Sequence, residues 1–227
     1  MKLKLCFVFV MVLFASQSLT AQENWINLFD GKSLGVWEDA KNFGAGPISV
    51  KDGAIRLKAG SMSTSIRYRK DAKPLPTTNY EIEYVAERTE GNDFFAALTF
   101  PVGKSFCTFV NGGWGGGIVG LSSLDGMDAS ENSSSTFFEF KNNVRYRFRV
   151  AVTDKSILGW VDDQRLVATV TEHSEISIRL EMELCKPLGL ATWCSGSAIH
   201  SIRYRLLTDK EVKANNEAAV KNEFKFK

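Results

Sequence analysis

Residues 145–152 read Arg145-Tyr146-Arg147-Phe148-Arg149-Val150-Ala151-Val152. In a strand, successive side chains point to opposite faces, so Tyr146, Phe148, Val150 and Val152 fall on one side and the three arginines on the other. A helical winding would scatter both sets. One face of this segment is built for burial and the other for water, which is the pattern of a half-covered antiparallel sheet.

Outward from that segment the same period recurs. Short apolar or alternating runs occupy 48–57, 80–86, 94–100, 106–110, 157–161, 166–170, 176–182, 188–193 and 198–206. Lys51-Asp52-Gly53 and Asp162-Asp163-Gln164 each split two such runs as tight turns do. About ten strands in one domain predict an all-β, two-sheet antiparallel sandwich of jelly-roll type over residues 22–207. One long polar loop runs from Ser122 to Thr136, and a Lys-, Glu-, Ala- and Asn-rich tail, 208–227, reads as a solvated helix at most.

At the N-terminus, Lys2 and Lys4 precede an apolar run from Leu5 to Ala15 and a polar stretch ending at Ala21. That layout predicts a secretory signal peptide, residues 1–21, and an extracytoplasmic mature chain with no membrane anchor. Removing it takes two of the 28 basic residues and none of the 26 acidic ones, leaving the two signs balanced. A balanced chain lacks the basic field that nucleic-acid binding requires. Roughly 205 residues remain, enough for one well-buried core. Of the cysteines beyond the leader, Cys185 and Cys194 are spaced to close a short loop with Cys107 left free; the other reading is three buried thiols.

Gly115 to Gly120 fits G-x-G-x-x-G letter for letter, yet more strand-like and loop sequence follows it, so the βαβ setting of a dinucleotide site is missing. Gly112 to Gly120 reads instead as a loop turning tightly or approaching a ligand, and Trp114 within it either folds back on the core or offers its ring to a sugar. Glu81, Glu83 and Glu87 share a strand face, where neighbours two apart lie about 6.6 Å apart along the chain, the separation of an inverting carboxylate pair and also that of any solvent-facing strand. Asp125, Asp128 and Glu131 offer hard oxygens to a divalent metal, Ca²⁺ or a transition metal, or form a merely solvated acidic loop. Of the two histidines, His173 sits in a polar turn, and His200 opens the last strand, where it could serve a cleft.

Trp25-Ile26-Asn27-Leu28-Phe29-Asp30-Gly31-Lys32-Ser33-Leu34, followed by Trp37, resembles the opening signature of the 3-keto-disaccharide hydrolase family. Val50 to Leu57, Tyr80-Glu81-Ile82, Gly159 to Asp163 and Ile199 to Leu206 resemble its later strand motifs. The resemblance implies a concanavalin A-like or laminin G-like jelly roll, exported, acting on glycosides whose ring ketone acidifies the C2 proton so that a base can expel the glycosidic oxygen. Where much of the family carries Glu-x-Arg and then Asn-Ser-Gly, this chain has Val85, Glu87 and Asn92-Asp93-Phe94, keeping only the asparagine. Three functions follow as expectations. The first is an acid–base enzyme on an oligosaccharide or glycoside, with Glu83, Glu87, Asp93 and His200 as proton carriers and Arg88, Asn92 and Trp114 as substrate contacts. The second is a lectin-like module using Trp114, Asn92 and Asp93 without chemistry, and the third an envelope protein whose jelly roll binds other proteins.

Overall fold

The computed structural model describes residues 24–223; the expected leader lies outside them. In chain order the strands are β1 Ile26–Asn27, β2 Trp37–Asp39, β3 Ile48–Lys51, β4 Ala54–Leu57 and β5 Ser63–Tyr68. There follow β6 Tyr80–Glu90, β7 Ala97–Val102, β8 Ser105–Gly113, β9 Ile118–Ser122 and β10 Thr136–Phe137. The last five are β11 Arg145–Val152, β12 Ser156–Val161, β13 Gln164–Val170, β14 Gly189–Trp193 and β15 Gly196–Leu206, after which α1 spans Asp209–Glu223.

Every strand pair is antiparallel, and the strands form two sheets. The first runs β13-β12-β11-β6-β15-β4-β3, with β1 also on β15; the second runs β10-β9-β8-β7-β14-β5-β2. The alternation of residues 145–152 holds: Tyr146, Phe148, Val150 and Val152 are buried in the core. They meet Tyr80, Ile82 and Tyr84 of β6 and, from the second sheet, Ile66, Leu98, Phe100, Phe109, Leu121 and Leu190. The turn between β3 and β4 places Asp52 and Gly53 at φ of 52° and 73°, the left-handed pair that matches the twist of a two-residue hairpin.

Four expectations change. The alternating stretch 176–182 forms no named strand; Ile176 makes one isolated bridge to Leu124, and Leu180–Cys185 winds into a 3-10 turn. Leu180 is 84% exposed, so at that position the alternation has no layer to cover it. Residues 118–120, read as the end of a glycine loop, join 121–122 to form β9 beside β8, with a bulge between Asn111 and Gly113 taking up the irregularity. Cys185 and Cys194 are not joined: Cys194 is exposed, while Cys107 and Cys185 are buried, which pushes their thiols up to about 12 and about 11. Finally, the tail beyond Thr208 docks. Thr208 and Glu211 exchange the two hydrogen bonds of a capping box, Glu211 N donating to Thr208 Oγ1 (3.3 Å) and Thr208 N to Glu211 Oε2 (2.8 Å). Ala219 then buries against Ala151, Leu158 and Ala168 on the outer face of the first sheet.

Asn216 is the polar clasp of that docking. Its Oδ1 accepts from Thr153 Oγ1 (2.5 Å) and Ser156 Oγ (2.8 Å). Asn216→Ala is expected to lower the unfolding free energy by about 1–2 kcal/mol, because two buried hydroxyls lose an acceptor. Urea unfolding of the two proteins measures it.

Candidate functional site

On the second sheet, the strand period that sends Leu98, Phe109 and Leu121 inward sends Ala97, Thr108, Val110 and Ser122 outward. These are small side chains, and they pave a shallow floor. Thr99 pairs with Thr108, their hydroxyls 2.9 Å apart, and Thr108 pairs with Ser122. One wall is built from Phe94, Trp193 at the end of β14, and Trp114; the other is the segment Arg179–Met182. Between them lies a cleft of about 250 Å³.

The position of Trp114 follows from the backbone around it. Trp114 has φ of 48°, and Gly112, Gly115 and Gly116 are also left-handed, which turns the chain sharply enough to leave the indole 45% exposed at the cleft. Gly116 is required there twice over: its φ is 110°, and a Cβ would come within 2.8 Å of the Asn92 carbonyl. Asp93 closes the corner, its Oδ1 accepting from Phe94 N (2.7 Å) and its Oδ2 from Gly115 N (3.4 Å). Phe94 and Trp193 stand with ring centroids 6.2 Å apart.

Across the cleft, Arg179 is held between two carboxylates. Its Nη1 donates to Asp128 Oδ2 (2.6 Å), while Nη2 and Nε donate to Glu181 Oε1 and Oε2 (3.1 and 3.3 Å). The guanidinium keeps the Glu181 carboxyl below its usual range, so Glu181 is ionised at neutral pH. On the floor, the Ser122 hydroxyl is buried without a hydrogen-bond partner. A buried hydroxyl left unmatched costs free energy that a ligand group can restore. Together these groups can hold a molecule with an apolar face toward the rings and hydroxyls toward Ser122, Asp93 and Glu181.

Of the residues singled out in the sequence, Asp93 and Trp114 line this cleft. Asn92 adjoins it through its carbonyl beside Gly116. Arg88 does not reach it as a substrate contact: the side chain is buried and donates to Phe140 O (2.8 Å), Asn142 Oδ1 (2.5 Å) and Asp93 O (3.4 Å). Glu83, Glu87 and His200 lie on the outer face of the first sheet, across the sandwich from Asp93, so the four expected proton carriers do not meet. Glu83 is engaged by Arg203 Nε and Nη2 (2.9 and 2.6 Å), and His200 Nε2 stands 3.4 Å from Glu87 Oε1, in ion-pair range without hydrogen-bond geometry. Asp125, Asp128 and Glu131 do not converge as metal ligands; among the described residues no group of three such side chains does. Asp128 is spent on Arg179 and on Ser130, and Asp125 accepts from Glu175 N (2.7 Å).

Phe94, Trp193, Ser122, Arg179 and Glu181 were not singled out by sequence. Phe94 opens one apolar run and Trp193 closes another, so both read as core, and Arg179 and Glu181 sit in the run taken for a strand.

No family model matches this chain, and no curated protein matches it by sequence. Solved structures do resemble it. A Crh5 transglycosylase in complex with NAG aligns with a TM-score of 0.56 and 10% identity over 81% of this chain and 84% of that one. A structure reported with endo-acting O-glycanases of the human gut microbiota that initiate mucin breakdown aligns at 0.50 and 15%, over 81% and 92%. The carbohydrate recognition domain of Emp47p aligns at 0.50 and 12%, over 76% and 89%. Identities this low bear on architecture, and the architecture is a concanavalin A-like jelly roll.

His200 gives the first sheet's outer face a pH signature. Burial lowers its pKa most, Arg145 lowers it further, and Glu87 opposes them. The folded state therefore binds the proton more weakly than the unfolded chain, whose histidine titrates near 6.5. Stability is full above about pH 6.5 and declines as pH falls toward the lowered folded value. Melting temperatures from pH 7.5 to 5.5 are expected to fall more in the native protein than in His200→Gln; equal slopes would remove His200 as the cause.

Proposed function

We propose that this chain is an exported carbohydrate-binding protein that takes an oligosaccharide or glycoside into the cleft between Trp114 and Arg179. The observation that carries the reading is an exposed tryptophan, set by a left-handed turn at the cleft, above a floor that presents an unpartnered buried hydroxyl. A sugar ring has C–H faces that stack on an indole and hydroxyls that need fixed acceptors and donors. Phe94, Trp114 and Trp193 supply the first; Asp93, Ser122 and Glu181 supply the second. The solved structures named above act on or recognise carbohydrate, which agrees with this reading without assigning a ligand.

A hydrolytic reading is favoured by one further observation: Asp93 and Glu181 line the same cleft. Glu181, kept ionised by Arg179, can accept a proton and not donate one, and because the pairing lowers its basicity the proton it takes must be an acidified one. Such a base would suit the keto-glycoside chemistry implied by the N-terminal resemblance, in which loss of the C2 proton drives out the glycosidic oxygen. Asp93 stands where that family places the residue after its asparagine.

Calorimetric titration with NAG oligomers and mucin O-glycans tests binding. Trp114→Ala is expected to weaken it roughly 10- to 100-fold, about 1.4–2.7 kcal/mol. Affinity unchanged in that variant, or no binding by any saccharide of the panel, would overturn the cleft reading. Catalysis is read separately, as product release from the same glycans and from a 3-keto-disaccharide: Asp93→Asn or Glu181→Gln is expected to slow turnover on the order of 100-fold or more. Turnover unaffected by both would dismiss the hydrolytic reading and leave binding intact. For export, N-terminal sequencing of the secreted chain is expected to begin at Gln22.

A further inference from the structure

A second hollow lies where the 69–77 loop meets the β7–β8 end of the second sheet, beside Lys186 and Pro187, which follow the 3-10 turn. It is about 430 Å³, larger than the cleft, and shares β8 with it: Val110 and Thr108 line the cleft, and Phe106, two residues along on the same face, lines the hollow. The two differ in sign. The charged residues of the cleft are Asp93, Arg179 and Glu181, two acids to one base, whereas every charged residue lining the hollow is basic: Arg69, Lys70, Lys73 and Lys186.

Two of these cations are already matched. Arg69 pairs with Asp71, Nε to Oδ1 at 3.0 Å and Nη2 to Oδ2 at 2.6 Å. Lys186 pairs with Glu183, its Nζ 5.4 Å from the centroid of Phe106. Among the described residues, neither Lys70 nor Lys73 has a carboxylate partner. Their loop is nonetheless fixed: the Tyr68 hydroxyl donates to Lys73 O (2.9 Å), and Ala72 N donates to Arg69 O (3.2 Å). Lys70 and Lys73, two cations without a carboxylate partner among the described residues, thus line a hollow together with Tyr68 and Phe106.

We propose that this hollow binds the acidic unit of a saccharide, its carboxylate or sulfate on Lys70 and Lys73 and its ring face on Phe106. A flat anionic membrane is the poorer occupant, because none of the large side chains exposed among the described residues lines the hollow to enter a bilayer. The site stands apart from the neutral-sugar cleft and does not require it.

The test titrates the full chain with a galacturonate oligosaccharide and with a sulfated heparin oligosaccharide, beside a neutral NAG oligomer, at 50 and 300 mM salt. At least one acidic probe is expected to bind and to weaken with salt, as contacts with exposed cations do. Which one binds identifies the acidic group. Lys70→Gln/Lys73→Gln is expected to weaken that probe at least 10-fold and to flatten its salt dependence, while Trp114→Ala changes it less than twofold. Both lysines are exposed, and a thermal melt of the double variant checks that the fold is kept. An acidic probe insensitive to the lysines, one lost with Trp114→Ala, or lysine-dependent binding to phosphatidylserine vesicles with no saccharide bound would each overturn the proposal. Neutral-probe binding that fails while acidic binding survives would strike only the cleft.

Discussion

Arg88 leaves β6 on the side that Tyr80, Ile82, Tyr84 and Ala86 use for the core, yet it carries a charge. A buried cation is tolerated only where acceptors surround it, and their positions are then no longer free. The guanidinium takes the carbonyls of Phe140 and Asp93 and the amide oxygen of Asn142, over the ring of Phe95 at 5.5 Å from its centroid. Asn142 in turn donates to Gly91 O (3.2 Å), and Asn143 N donates to Arg88 O (2.8 Å). Three stretches of chain, 88–95, 111–117 and 140–143, meet at this point. Asp93, set by Arg88 at its carbonyl, passes the constraint through its carboxylate to Gly115 and so to the turn that exposes Trp114. The core and the cleft are joined by one side chain that belongs to both.

The two outer faces of the sandwich have been put to different uses. On the first sheet, Glu81 accepts from Arg205 and pairs with Arg149 (3.1 Å), Glu83 is matched by Arg203, and Arg149 lies over Trp160 with Cζ 4.1 Å from its centroid. Burial pushes the Glu81 carboxyl above its usual range despite both arginines. With α1 packed beside it, little of that network is left to meet a ligand. On the second sheet the floor is small and polar, the walls are aromatic, and hydrogen-bonding capacity is left over.

The architecture was legible because it depends on a period of two that needs no partner to be seen. Residues 145–152, the Asp52-Gly53 hairpin and the long polar loop all declare themselves locally. The site was half legible. Trp114 stood out because glycines isolate it, and Asp93 because a family motif points at its position. Phe94 and Trp193 carry no local mark, since an aromatic at either end of an apolar run looks the same whether it caps a core or walls a cleft. Arg179 and Glu181 were hidden by a misleading alternation that no neighbouring strand completes. Glu83, Glu87 and His200 illustrate the opposite error: spacing along one strand gives distances but not the face, and only pairing with Arg203 and the rest of the first sheet shows that this face points away from Asp93.

The central claim is that ligand enters on the second sheet, and the five tryptophans give five reporters of where it does. Indole N–H signals of the ¹⁵N-labelled protein, followed during titration with an NAG oligomer, separate the faces: Trp114 and Trp193 at the cleft, Trp25 and Trp160 against arginines of the first sheet, and Trp37 in the core. The account predicts that the Trp114 and Trp193 signals move with a common saturation curve while the other three stay in place. Movement of Trp25 or Trp160 with the cleft signals unmoved would contradict it.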